Sequence, residues 1–216
     1  MEAGRLERGT SRDMSSRYRL FRRVMLMLGR LLFGFTVVGV NKVPKSGPLI
    51  LASNHRRYVD PVLVSMAVPR RVQWMAKKEL FVGPFERFFF FIGAFPVDRQ
   101  KGGRAALRTA LDLLAANWTL GIFPEGTRRK TYEPENVPKS GVAMLAARGG
   151  APVVPVFVGR VPNPLKRLRG ERLYVYIGDP ITFDNTKEER RASRSEAAGG
   201  VLRAIYELGE RHGAST

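Results

Sequence analysis

Short apolar runs alternate with segments of helical spacing from residue 47 onward, and this alternation restricts the fold more than any other feature of the chain. Each run is bounded by turn-forming residues, as a buried strand is. Strands are predicted at 49–53, 72–75, 94–97, 120–123, 153–158 and 173–177. Helices are predicted from Asp60 onward and at 103–118, 140–148 and 188–212. The pattern predicts an α/β domain with a largely parallel central sheet flanked by helices.

Composition narrows the classes of partner. The 216 residues fit one such domain with a terminal segment. Lysine and arginine number 37 against 19 acidic residues, so the net charge of +18 favours an anionic partner. Nucleic acid, an anionic membrane face and phosphorylated substrates all satisfy this condition. The absence of cysteine excludes disulfides, a cysteine–zinc site and a cysteine nucleophile.

A basic and apolar segment precedes the domain. The stretch Val24–Val40 is apolar but contains Arg30 and falls short of the roughly 20 residues that cross a bilayer. A cluster of arginines lies just before it, at 17, 19, 22 and 23. We therefore expect residues 1–40 to form a membrane-associating helical segment in the lipid interface and 41–216 to form the α/β domain. A helix packed on the domain and a true membrane span are the alternatives, and no cleavable signal peptide is predicted.

Only one of the two histidines follows a predicted strand. His55 lies in "ILASNHRRYVDP", five residues before Asp60, at the strand end where α/β domains bind ligands. A carboxylate on one imidazole nitrogen leaves the other free to accept a proton from a substrate hydroxyl. The alternative is a loop histidine beside an ordinary helix N-cap, with Pro61 as the first helical residue. His212, near the chain end, is expected to sit at a helix terminus.

Two later strand-end loops carry groups that suit phosphate. The first, "GAFPVDR", ends in Arg99. The second, "IFPEGTRRK", combines a glycine, a hydroxyl and three basic residues; its members are Glu125, Gly126, Thr127, Arg128, Arg129 and Lys130. Glycine lets backbone N–H groups approach an anion, and the arginine fork matches phosphate oxygens. The alternative is a solvated basic turn.

The segments "NHRRYVD", "GAFPVDR", "FPEGTR" and "VVPVFV" occur in the order of the four motifs of the PlsC-like glycerolipid acyltransferases. Over about residues 40–180 the chain resembles this family, which includes the 1-acyl-sn-glycerol-3-phosphate acyltransferases. The resemblance implies that His55 is a general base oriented by Asp60. It implies that Arg99 grips the acceptor phosphate and that Pro155 shapes the acyl-donor side. Residues of the third motif, Glu125, Gly126, Thr127 and Arg128, would bind the glycerol-phosphate part.

The implied reaction transfers a fatty acyl group to the sn-2 hydroxyl of lysophosphatidic acid and makes phosphatidic acid. Acyl-CoA or acyl-carrier protein would be the thioester co-substrate, and neither a cofactor nor a metal is expected. An acyl-enzyme is not expected, because the chain has no cysteine and no G-x-S-x-G elbow. Arg57 stands where relatives often carry a small polar residue. It leaves open another lysolipid, glycerol-3-phosphate or a glycolipid as acceptor.

The substrates of such an enzyme lie in the bilayer, so an anionic membrane surface is the expected partner. The expected location is the cell membrane, monotopic or peripheral on its cytoplasmic face. The segment 81–95 contains seven phenylalanines and is expected to line an acyl groove, to dip into lipid or to form an aromatic core helix. No nucleic acid is expected, because the basic residues flank an apolar stretch and phosphate-type loops. A catalytically inactive lipid-binding relative is the remaining alternative.

Overall fold

A computed structural model describes residues 15–97, 103–129, 141–183 and 192–213. Seven strands of these residues form one sheet in the order β1-β7-β6-β2-β5-β3-β4. Their bounds are β1 Thr36–Val38, β2 Leu49–Ser53, β3 Val72–Lys77, β4 Ala94–Val97, β5 Thr119–Ile122, β6 Val153–Val158 and β7 Tyr174–Ile177. The five strands from β6 to β4 run parallel, whereas β7 is antiparallel to β6 and pairs in parallel with β1. The predicted α/β fold with a largely parallel sheet is therefore confirmed.

Helices cover both faces of this sheet. Their bounds are α1 Ser16–Phe33, α2 Asp60–Ala67, α3 Pro84–Phe91, α4 Gly103–Ala115, α5 Gly141–Gly149, α6 Pro164–Leu168 and α7 Ala192–Arg211. Side chains of β2 alternate between the faces, so that Ile50 and Ala52 join the layer with α4, α5 and α7. Leu49 and Leu51 point to the other layer, which holds α1 and α2. All five residues of β2 are buried, as a central parallel strand requires.

The N-terminal segment differs from its prediction at its second half. Helix α1 ends at Phe33 because Gly34 adopts a left-handed conformation, with a φ of 61°, and donates its N–H to the Arg30 carbonyl at 3.0 Å. The chain then enters β1, which pairs with β7 and so belongs to the sheet. The boundary predicted at residue 40 therefore places a strand of the α/β domain in the N-terminal segment. The sequence did not reveal where α1 ends, because apolar residues continue from the helix into the strand.

Helix α1 has one side on the domain and one side in solvent. Tyr18 is buried and meets Phe91 of α3 edge to face at 5.9 Å, while Met25 packs on the layer that contains α2. The opposite side exposes Leu20, Met27 and other apolar residues. None of the helices in the described part of the chain combines the length and the apolar character that a bilayer span requires.

The phenylalanine-rich segment forms α3 and its flanks. None of the eight residues of α3 is buried, so the expected alternative of an aromatic core helix is wrong. Phe85 and Phe88 are exposed, whereas Phe91 packs against Tyr18 and Phe21 of α1. Helices α1 and α3 therefore form a joined, partly apolar surface at one side of the molecule.

Candidate active site

A buried asparagine joins the ends of the two central strands β2 and β6. The Asn54 side chain donates to the Val158 carbonyl at 3.0 Å and accepts from the Val158 N–H at 2.7 Å. Both polar ends of the amide are thus satisfied at a site with no solvent exposure. This pair of bonds fixes the backbone one residue before His55.

His55 and Asp60 come together as their spacing predicted. His55 Nδ1 lies 3.3 Å from Asp60 Oδ2, and the carboxylate is only 1% exposed. The same oxygen accepts from the backbone N–H groups of Arg56 and Arg57, each at 2.6 Å. Because the carboxylate accepts from Nδ1, it selects the tautomer with the proton on that nitrogen, which leaves Nε2 able to take a proton.

The N-cap role expected for Asp60 is wrong. Val59 occupies the cap position without a side-chain cap bond, and Asp60 is the first residue of α2. The carboxylate turns back into the loop because the two N–H groups of Arg56 and Arg57 are within reach there. A pattern of aspartate before proline does not distinguish the two positions.

The imidazole plane is set by a stack of aromatic rings. His55 stacks on Phe123 with ring centroids 3.9 Å apart, and Phe123 stacks on Trp74 at 4.8 Å. The Trp74 indole N–H donates to Ser65 Oγ of α2 at 2.8 Å, which fixes the far end of the stack. The stack limits rotation of His55 about its side-chain bonds, since its ring cannot turn without losing contact with Phe123.

The loop at residues 123–129, here called the EGTR loop, folds onto the backbone of His55. Gly126 has a φ of 68°, a conformation that favours glycine, and its N–H donates to the Phe123 carbonyl at 2.9 Å. This turn brings the Arg129 N–H to the His55 carbonyl at 2.8 Å. The loops that begin at residues 54 and 123 therefore meet at the same edge of the sheet.

Glu125 lies beneath this loop and not on its surface. The side chain is buried, and its Oε1 accepts from the Tyr206 hydroxyl of α7 at 2.5 Å. Burial raises the pKa of Glu125 above its usual range. The Tyr206 bond, the nearby His55 residue and the positive charge of Arg129 act to lower that pKa.

The other residues of the loop are open to solvent. The Arg128 guanidinium lies 3.5 Å from the centroid of the Tyr58 ring, and Tyr58 is 80% exposed. Arg128 and Thr127 are themselves exposed, beside the loop that carries His55. The Arg128 guanidinium therefore lies exposed against a residue of the loop that carries His55.

Two predicted site residues stand apart from this cluster. Arg99 lies outside the described residues. Pro155 lies within β6, opposite Ala52 in the register, and its carbonyl accepts from the Gly178 N–H at 2.9 Å. It is buried in the sheet interior rather than at the strand end, and its suggested role on the donor side stays a prediction.

Sequence reasoning assigned no role to four residues that build the site. Phe123 lies within a quoted motif, and Asn54 directly precedes His55, so their positions offered a signal. Trp74 and Tyr206 come from distant parts of the chain. Their contacts depend on tertiary packing, and nothing in a single sequence marks them.

Comparison with known proteins places these features in a family. The acyltransferase family model matches residues 34–159. The 1-acyl-sn-glycerol-3-phosphate acyltransferase of Bacillus subtilis is 30% identical over 80% of this chain and 88% of that protein. The enzyme of the same name from Streptococcus pneumoniae is 32% identical over 79% of this chain. The matched region covers 64% of the Streptococcus protein.

A solved structure has the same fold. The crystal structure of the 1-acyl-sn-glycerophosphate acyltransferase PlsC from Thermotoga maritima aligns with a TM-score of 0.70 over 99% of this chain and 88% of that chain. Because the sequence identity is 21%, this alignment shows a similar fold and nothing further. The first and third motifs meet at one sheet edge, and the family model together with the Bacillus relative shows that this chain belongs to the acyltransferase family of enzymes.

Proposed function

We propose that this acyltransferase moves a fatty acyl group from a thioester to the sn-2 hydroxyl of lysophosphatidic acid and so makes phosphatidic acid. The names of the Bacillus and Streptococcus relatives support this acceptor. The observation that carries the proposal is the contact between His55 Nδ1 and Asp60 Oδ2, beside a loop with an exposed arginine. That arrangement supplies a base and an anion-binding group at one edge of the sheet.

Proton transfer through His55 accounts for the chemistry. Nε2 takes the proton of the acceptor hydroxyl, and the hydroxyl oxygen attacks the thioester carbonyl. The carbon–sulfur bond breaks, and the departing thiolate takes the proton back from the imidazolium. Asp60 stabilises the imidazolium between these steps. No acyl-enzyme is required, and the chain contains no cysteine to form one.

Positioning of the two substrates falls to groups around the base. Arg128 is exposed next to the His55 loop and binds the acceptor phosphate, with Gly126 and Thr127 beside it. Arg99 and Pro155 keep the roles that family resemblance implies, at the phosphate and on the donor side. Holding both substrates in line contributes more to the rate than the base does, up to about 7–11 kcal/mol of the barrier.

The enzyme is proposed to bind its acceptor at a membrane surface. The solvent side of α1 exposes an apolar stripe that includes Leu20, Val24, Met27 and Leu31, at helical spacing. Exposed arginines flank it at positions 17, 19, 23 and 30. A helix with this arrangement lies in the interface of an anionic membrane, and Phe85 of α3 extends the apolar surface. The enzyme is therefore proposed to be peripheral on the cytoplasmic face of the cell membrane.

Acyl transfer with defined substrates tests the proposal. Purified protein with anionic vesicles is supplied with acyl-CoA or acyl-carrier-protein thioester and with lysophosphatidic acid, another lysophospholipid or glycerol-3-phosphate. Phosphatidic acid is the expected main product. Faster acylation of a different acceptor would reject lysophosphatidic acid while leaving the family chemistry intact.

The two histidines provide a matched pair for the base assignment. His55→Ala should lower kcat by about 10²–10⁴-fold, the usual contribution of a general base. His212→Ala should leave kcat unchanged, because His212 lies at the end of α7 against Leu208 and Tyr176. A His55→Ala variant with near wild-type kcat would refute the assignment.

A further inference from the structure

Tyr206 is remote in sequence from the loops of the site, yet its hydroxyl reaches their interior. It lies in α7, within the buried layer that also holds α4 and α5. The family model ends at residue 159, so Tyr206 falls outside the matched region. The side chain is 3% exposed, and its hydroxyl donates to Glu125 Oε1 at 2.5 Å.

Glu125 in turn belongs to the loop that holds the residue carrying the base. It lies in the turn in which the Gly126 N–H donates to the Phe123 carbonyl at 2.9 Å. Further along the same loop, the Arg129 N–H donates to the His55 carbonyl at 2.8 Å. The backbone of His55 is therefore gripped by the EGTR loop, whereas its imidazole is held by Asp60 and Phe123. A displaced Glu125 would release part of the backbone grip.

We propose that Tyr206 is a positioning residue for acyl transfer, which keeps the His55 backbone in place through Glu125. The inference rests on the proposed role of His55 as the base. A short bond from a hydroxyl to a buried carboxylate is charge-assisted and stronger than a neutral one, so it fixes the orientation of Glu125. Helix α7 thereby becomes part of the active site, and Glu125 holds the base in addition to its suggested contact with the acceptor.

The same hydroxyl affects the pH at which Glu125 ionises. Burial raises the pKa of Glu125, and the Tyr206 bond is the first of the interactions that lower it, followed by those of His55 and Arg129. Arg56 is the further charged group that faces Tyr206. Loss of the hydroxyl therefore raises the pKa of Glu125 further, so the carboxyl stays protonated to a higher pH. The acidic limb of the kcat/KM profile should move to higher pH accordingly.

A tyrosine-to-phenylalanine pair tests this role. Tyr206→Phe should lower kcat about tenfold, the scale of one hydrogen bond to a charged group, with KM for lysophosphatidic acid nearly unchanged. The acidic limb of the kcat/KM profile should also move to higher pH. Tyr176→Phe, in a tyrosine of the same buried layer, should change neither. In a Glu125→Gln background, Tyr206→Phe should cause no further loss, because its effect passes through Glu125.

Wild-type kcat with an unmoved acidic limb in folded Tyr206→Phe would overturn the inference. If Tyr206→Phe lowered kcat by the same factor in the Glu125→Gln background as in the wild type, that result would also overturn the inference. If Tyr206→Phe does not fold, Tyr206→3-fluorotyrosine keeps the ring and hydroxyl but donates more strongly. It should move the acidic limb to lower pH, and an unmoved limb refutes the role. Failure of the wild-type chain to acylate any lysolipid would instead reject the proposed function, so the two failures are distinguishable.

Discussion

Replacing Gly121 with alanine would disturb the site from beneath without altering any residue that has a chemical role. Gly121 lies in β5 and pairs with Trp74 of β3. A Cβ at this position would lie 2.5 Å from Trp74 Cε3, whereas carbons in contact are about 3.5–4.0 Å apart. The indole must therefore retreat by about 1 Å. Phe123 is stacked on that ring and His55 on Phe123, so the displacement reaches the imidazole.

The magnitudes follow from the overlap. Overpacking of a buried site costs about 1–3 kcal/mol. For a chain of this size that loss lowers Tm by roughly 2–12 °C. A misplacement of about 1 Å at a reacting group lowers the rate by up to about 10²-fold. We therefore expect kcat of Gly121→Ala to fall by about 10–100-fold at temperatures where the protein remains folded.

Thermal unfolding followed by circular dichroism and kcat in the acyl-transfer assay measure the two effects. Gly200→Ala is the matched control, because no atom lies within 4 Å of its added Cβ and it sits in α7. Alanine there should stabilise the helix by about 0.5–1 kcal/mol and leave kcat unchanged. If Gly121→Ala keeps the wild-type Tm and kcat, the ring stack does not position His55.

Three further predictions concern the base, the phosphate site and the membrane. Asp60→Asn should lower kcat by about 10²–10⁴-fold, because an amide no longer orients and stabilises the imidazolium; a loss under tenfold would contradict this. Arg128→Ala should raise KM for lysophosphatidic acid about tenfold or more. Arg203→Ala, on the exposed surface of α7, should leave KM unchanged. Equal KM values for the two variants would reject the phosphate contact. The double change Leu20→Ser and Leu31→Ser should reduce flotation with anionic vesicles without changing the circular dichroism spectrum; undiminished flotation would move the contact elsewhere.

Several elements were predictable because their signals are local. Strand β6 was predicted at its observed bounds, and β2 likewise, because short buried apolar runs end at polar residues. The contact of His55 with Asp60 was predictable because one tight loop joins them. The end of α1 was missed, since the αL conformation of Gly34 decides it and apolar content continues past it.

The period of the apolar runs was sufficient to predict an α/β domain, because alternation along a strand and spacing along a helix are properties of neighbouring residues. The acyltransferase activity was predicted from the resemblance of four motifs to a known family. Only tertiary structure decided what supports the base. Phe123 stacks on His55, Trp74 stacks on Phe123, and Tyr206 binds Glu125; these three residues come from separate parts of the fold. Such contacts depend on sheet order and helix packing, and a single sequence does not encode those distances in any local pattern.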